Sequence, residues 1–151
     1  MKKPIRYIIG RREPVSFPQL GLLNIEAKID TGAYTSSLHC KEVKQFTKDG
    51  TDYVSFLLLD PEHPLFENKL IEWPVYKIKQ VKNSFGQVEE RIVIKTKIDF
   101  FDFNYEIEIS LADRSLMDYP VLLGRKAIRK KFIVDVSKLH YASKRKIVEY
   151  K

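Results

Sequence analysis

Cysteine occurs once in the 151 residues, as Cys40. An internal disulfide is therefore excluded, a cysteine-based structural zinc site lacks its ligands, and a reducing compartment suits the usage. Histidine is nearly as scarce: His39, His63 and His140 lie far apart, with no H-E-x-x-H helix and no cysteine pair beside them. Such histidines read as solvated or hydrogen-bonded groups, and no metal is expected. Long apolar runs are missing too. The amino-terminal "MKKPIRYIIGRREP" is basic, but Arg6 interrupts its apolar stretch, which stops at Gly10, short of a signal-peptide core. No segment approaches the length of a membrane span, so a cytoplasmic protein without membrane contact is expected. There is no internal repeat and no glycine-rich phosphate loop, so no cofactor is expected and ATP use finds no support.

What is present is charge and alternation. Lys and Arg number 27 against 20 Asp and Glu, a formal charge of +7, which favours acidic partners without choosing among them. The length suits one domain, 1–151, with its own core. Apolar residues recur at every second position in Ile25, Ala27 and Ile29; in Tyr76, Ile78 and Gln80; in Ile92, Ile94, Thr96 and Ile98; and in Tyr105, Ile107 and Ile109. Alternation of this kind predicts half-buried strands. "YVSFLLL" and "FIVDV" suit strands buried on both faces. "VYKIKQV" and "RIVIKTKI" flank the turn residues Asn83, Ser84 and Gly86, which predicts a hairpin with Phe85 and Gly86 at its tip. After "VLLG", Gly124 turns the chain and "RKAIRKKF" offers Ala127, Ile128 and Lys131 at helical spacing, one short helix. The charged "KRKIVEYK" at the carboxyl end is expected to fray or to add an edge strand in a partner.

Two sets of side chains invite catalysis. Thr35-Ser36-Ser37-Leu38-His39-Cys40 contains nucleophile and base types, but no G-x-S-x-G turn or oxyanion loop accompanies them, and hydroxyls that satisfy a turn or strand end are the preferred reading. The other is Asp30 in "KIDTGAYTSSLHC", at the end of an apolar run and followed by Thr31, Gly32 and Ala33. It is either a turn made of turn-forming residues or a catalytic aspartate on a loop. Gly32 permits close backbone approach, the Thr31 hydroxyl can buttress the loop, and Ala33 adds no bulk near the carboxylate.

A second motif bears on that choice. "YPVLLGRKAI", Tyr119 to Ile128, runs from an apolar strand through a glycine into the short helix. D-T-G-A followed at a distance by apolar-apolar-Gly-Arg resembles the retropepsin class of aspartic peptidases, and the hairpin falls where that class keeps its flap. The match is closer to a bacterial branch encoded beside glutamate ligases and labelled ATP-dependent zinc proteases. Four ordered blocks carry it: "KIDTGAYTSSLH", "VKNSFGQVEERIVI", "LADRSLMDYPVLLGR" and "FIVDV".

The resemblance implies an all-β, acid-protease closed β-barrel with one short helix and a cleft at a homodimer interface. It also implies peptide-bond hydrolysis without a metal. Two carboxylates held close share one proton, because two like charges at that distance do not both ionise cheaply. This chain has a single D-T-G, so the second carboxylate would come from a symmetric partner. Asp30, Thr31 and Gly32 are then the catalytic loop, and Ala33, Asn83, Ser84, Phe85 and Gly86 face substrate. Arg91, Arg114 and Arg125 either pair for structure or hold an acidic substrate bidentately. Asp113 reads as a structural turn residue or as an ion-pair partner of Arg114 or Arg125, ahead of any catalytic role. The expected substrate is an acidic peptide or protein, by resemblance an α-linked glutamate tail. Three alternatives stand beside this: a retropepsin-like binding module without turnover, a zinc-dependent protease as the family label states, and a basic nucleic-acid-binding domain. For the last, the aromatics of "FDFNYEI" alternate in a way better explained by burial, so no nucleic acid is expected.

Overall fold

The computed structural model describes residues 5–82, 85–113, 118–142 and 147–149. Strands dominate them. β1 (Ile5–Ile9) and β2 (Arg12–Phe17) lead through a short 3-10 turn, Pro18–Leu20, into β3 (Leu22–Ile29). Two long hairpins follow, the first of β4 (Ser36–Lys48) and β5 (Thr51–Leu58) turning at Asp49-Gly50. Both turn residues have positive φ, 51° and 76°, the conformation that keeps the turn's twist in step with the strands. β6 (Leu70–Pro74) adds to β5, and β7 (Lys77–Lys82) forms the expected hairpin with β8 (Val88–Phe100), from Lys77 opposite Val93 to Lys82 opposite Val88. β9 (Phe103–Ala112) completes the second long hairpin with β8. The chain closes with β10 (Val121–Leu123), α1 (Arg125–Ile128), β11 (Phe132–Val134) and β12 (Ile147–Glu149).

β10 determines how the main sheet is organised. It pairs in parallel with β3 and antiparallel with β4, so the path β10-β3-β2-β8-β9-β4 returns to β10. One link in that path is thin. β2 meets β8 at the single register pair Ser16 and Asp99, with the Lys97 amide donating instead to the Gln19 side chain. Inward-facing residues of the alternating strands fill the interior: Ile25, Ala27, Leu38, Phe56, Ile94, Ile98, Ile109 and Leu123 are buried. Phe132 packs on Phe100 and Phe103 at centroid distances of 4.7 and 5.4 Å, and the alternating aromatics of "FDFNYEI", Phe101, Phe103 and Tyr105, are half-buried against the core.

Four details differ from the sequence expectation. The helix is one turn only, because Arg129 leaves helical geometry and Lys130 takes a φ of 70°; Lys131 instead sets its ammonium over the Tyr105 ring. Tyr76 and Ile78, expected half-buried, are exposed, since β7 is an edge strand whose other face, Lys79 and Val81, turns toward the protein. Strand β11 is shorter than "FIVDV", with Phe132 its one buried residue. The carboxyl-terminal strand is engaged within its own chain: β12 pairs antiparallel with β1, at the edge of a small sheet ordered β11-β1-β12.

Candidate active site

Asp30 begins where β3 ends. Its backbone amide donates to the Leu123 carbonyl at 2.9 Å, because β10 runs parallel to β3 with Leu123 beside Ile29. From this point the backbone of the helix turn supports the 30–36 loop. The Arg125 amide donates to the Ala33 carbonyl at 2.8 Å, the Lys126 amide to that of Tyr34 at 3.1 Å, and the Gly124 amide to Ser36 Oγ at 3.0 Å. A β-carbon on Gly124 would lie 2.6 Å from the Tyr34 carbonyl oxygen and 2.9 Å from that of Ala33. Glycine is what permits that approach.

Within the loop, Asp30 is half-buried and Thr31 and Gly32 are exposed. Asp30 Oδ1 accepts from the Gly32 amide at 3.0 Å, and a Gly32 β-carbon would lie 3.3 Å from the same oxygen. The carboxylate is thereby oriented by its own loop. Thr31 enters the scaffold through its carbonyl, which accepts from Arg125 Nη1 at 2.9 Å. Arg125, a candidate for substrate binding, holds the 30–36 loop in this structure. Its guanidinium and that of Arg129 also lie 5.7 and 5.8 Å from the exposed Tyr34 ring.

The β7–β8 hairpin projects beside this loop. Phe85 is 88% exposed and Gly86 has a φ of 80°; Asn83 and Ser84 lie outside the described residues. Lys79 Nζ donates to Thr35 Oγ1 at 2.7 Å, a direct polar tie from hairpin to loop. Arg91 stands opposite Lys79 across the two strands, with a long contact of 3.4 Å to Glu89. Between hairpin and loop is a cavity of about 160 Å³ bordered by Ala33, Thr35, Ser37, Lys79 and Arg91.

A family model, described as the retropepsin-like aspartic endopeptidase RimB, matches residues 8–146. The chain belongs to the RimB-like family. Relatives include a probable alpha-L-glutamate ligase of Shewanella halifaxensis (strain HAW-EB4), 38% identical over 136 residues, which cover 87% of this chain and 29% of the relative. Another, of the same printed name, comes from Parasynechococcus marenigrum (strain WH8102), 35% identical over 139 residues, 89% of this chain and 29% of the relative. This chain thus spans under a third of those relatives' length. A crystal structure of Lpg0085, a protein of unknown function (DUF785) from Legionella pneumophila, superposes with a TM-score of 0.73 at 27% identity, covering 89% of this chain and 97% of that one.

For this RimB-like chain the described residues offer no donor set that fits the zinc of the older label. Among the described residues no three His, Cys, Asp or Glu side chains converge on a point that a metal could occupy. Buried His39 instead donates from Nε2 to Asp60 at 2.6 Å, and this hydrogen bond is the main cause that lowers the Asp60 pKa from its ordinary value. His140 is engaged by Glu26, and His63 Nδ1 accepts from the Leu65 amide. Asp113 pairs with Lys41 at 2.8 Å, a partner that the sequence did not suggest; Arg114 lies outside the described residues. Of the hydroxyls, Ser36 satisfies the Gly124 amide as expected, whereas the buried Ser37 Oγ has no hydrogen-bond partner among the described residues. Ser37 stood in the sequence only as one hydroxyl of a run, and Lys79 had no local signal, although hairpin register recovers it by setting it opposite Arg91. No described helix is long and apolar enough to cross a membrane.

Proposed function

We propose that this chain is an aspartic endopeptidase that works as a homodimer, with an acid-protease barrel in each protomer and a shared cleft carrying Asp30 from each. The observation that carries this reading is the Asp30 loop itself: a half-buried carboxylate, aligned by Gly32 and fixed from behind by Leu123, Gly124 and Arg125, opening beside a hairpin with an exposed tip. One such carboxylate per chain calls for a second. In the paired state the two Asp30 groups share one proton. The ionised one takes a proton from water as its oxygen attacks the scissile carbonyl carbon, and the protonated one gives its proton to the carbonyl oxygen. Collapse of the tetrahedral intermediate breaks the C–N bond, and the proton taken from water goes to the leaving amine. Peptide acid and amine are released, and one shared proton returns to the dyad.

For substrate we infer acidic peptide, an α-linked glutamate tail on a protein. The relatives' printed name, glutamate ligase, concerns the making of such bonds, and a peptidase segment in the same family acts on the product of that chemistry. The net charge of +7 suits an acidic substrate. Asp30→Asn tests the reading: it is expected to leave folding and dimerisation intact while lowering turnover of a glutamate-rich peptide at least about a hundredfold. Turnover close to wild type in that variant overturns the mechanism. Because the described donor groups do not suit zinc, EDTA is expected to leave turnover unchanged; loss restored by added zinc would support the metalloprotease label instead.

A further inference from the structure

The small cavity under the hairpin has an unusual polar inventory. Ser37 Oγ borders it, is buried (the residue is 6% exposed), and has no hydrogen-bond partner among the described residues. A buried hydroxyl left unpaired is unfavourable by itself, and such groups concentrate where a ligand supplies the missing partner. Two cations face the same space, Lys79 and Arg91, and among the described residues no acidic side chain borders it. Lys79 spends one donor on Thr35 Oγ1; an ammonium has three.

Size narrows the occupant. At about 160 Å³ the cavity is below the range of whole-ligand pockets and suits one side chain. A larger neighbouring cavity of about 460 Å³ shares Arg91 and adds Lys41, which is paired with Asp113, but it is also bordered by Glu42, Glu89 and Glu90, so carboxylates outnumber cations there and disfavour an anion. An acidic group entering beside the Asp30 loop therefore finds its complement on the Ser37–Lys79 side and not on the other.

We propose that Ser37, Lys79 and Arg91 form a carboxylate subsite that receives the side chain of a substrate glutamate, with Ser37 Oγ donating to one carboxylate oxygen and Lys79 Nζ to the other. Ser37 and Lys79 are specificity-determining residues in this scheme. It rests on the proposed peptidase reading, since the subsite matters only if peptide lies between hairpin and loop. The arrangement also shifts acidic recognition away from Arg125, which is occupied by Thr31.

The test separates binding from turnover. Fluorescence anisotropy with the Asp30→Asn protein compares two labelled peptides of equal length, otherwise neutral, one carrying a single Glu and the other Gln in its place. The Glu peptide is expected to bind about tenfold tighter, the scale of one charge-assisted hydrogen bond. Lys79→Met and Ser37→Ala, each added to Asp30→Asn, are expected to bring that ratio toward one, and Lys79→Arg to retain part of it. Ser37→Ala should do so without lowering the melting temperature, because it removes a buried unpaired hydroxyl; a purely structural serine would not show that combination. This variant also decides the matter if Lys79→Met fails to fold. Equal binding of both peptides, or a ratio that survives Ser37→Ala, overturns the subsite. Wild-type cleavage of the same peptides tells the two readings apart: discrimination in binding without any cleavage removes the peptidase and leaves the subsite, and cleavage indifferent to Glu or Gln does the reverse.

Discussion

Gly124 and Tyr34 are packed backbone to backbone, with room for no side chain between them: a β-carbon on the glycine would stand 2.6 Å from the Tyr34 carbonyl oxygen. This contact joins the two sequence motifs into one unit, because the carbonyls of Ala33 and Tyr34 accept from the Arg125 and Lys126 amides across it.

Gly124→Ala is therefore expected to destabilise by about 1–3 kcal/mol, the cost of forcing a methyl into a filled space. Because the displaced backbone leads directly to Asp30, turnover measured well below the melting temperature should fall further than stability does. Denaturant melts alongside kinetics check both halves.

Gly86 presents the opposite case. Nothing lies within 4 Å of the point where its β-carbon would stand, so a side chain meets open space, but its φ of 80° disfavours any β-branched residue. Gly86→Val is expected to lower the melting temperature only modestly, since the strain is confined to the hairpin tip, and to lower kcat/KM by a larger factor. Wild-type kinetics in this variant would remove the flap role that the resemblance implies for this hairpin.

If the active form is a dimer with one Asp30 from each chain, specific activity depends on protein concentration and falls as the solution is diluted past the dissociation constant. Sedimentation across the same range should show the monomer appearing where activity is lost. A monomer that cleaves peptide at full rate refutes the shared site.

Glu13 is a structural carboxylate, 1% exposed, whose Oε2 accepts from the backbone amides of Gly10, Tyr141 and Ala142 at 2.6, 2.7 and 3.0 Å. Glu13→Ala orphans three donors, at about 1–3 kcal/mol for each that water cannot reach. A large drop in melting temperature is expected, with Glu13→Gln, which keeps an acceptor oxygen, falling in between.

Stability should also decline on the acid side. The Asp60 pKa is lowered chiefly by the His39 hydrogen bond, and that of Glu108 by hydrogen bonds from Lys126 and Lys77. A carboxylate with a depressed folded pKa contributes stability above its unfolded value, about 4, and loses it as pH falls through the lower folded value. Melting temperature against pH should therefore drop below about pH 4, and Asp60→Asn should flatten part of that acid limb.

Much of this was legible in the sequence where the signal is local. The D-T-G-A turn, the apolar-apolar-Gly-Arg motif and the β7–β8 hairpin each rest on a few adjacent residues, and each occupies its expected place. Asp49-Gly50, an Asp-Gly pair between Lys48 and Thr51, is a local signal for the β4–β5 hairpin that alternation alone does not reveal. Side-chain pairings between distant elements left no such trace. Nothing near Asp113 names Lys41, nothing near Arg125 names the Thr31 carbonyl, and Ile78 alternates like a half-buried residue although its face of the edge strand has nothing to cover. These depend on which strands become neighbours, and β10 decides that by inserting between β3 and β4.

The single register pair between β2 and β8 has its own consequence for slow motion. The other links of the closed path hold at more positions, from two between β10 and β4 to nine between β8 and β9, so a breathing excursion that parts the sheet starts most cheaply at Ser16 and Asp99. On one side of that seam is β2, which pairs with the strand that ends at Asp30, and on the other is β8, which carries the hairpin. Amide exchange should accordingly be fastest at this seam among the interior strands, and an opening there lets the Asp30 loop and the β7–β8 hairpin shift relative to one another without unfolding either.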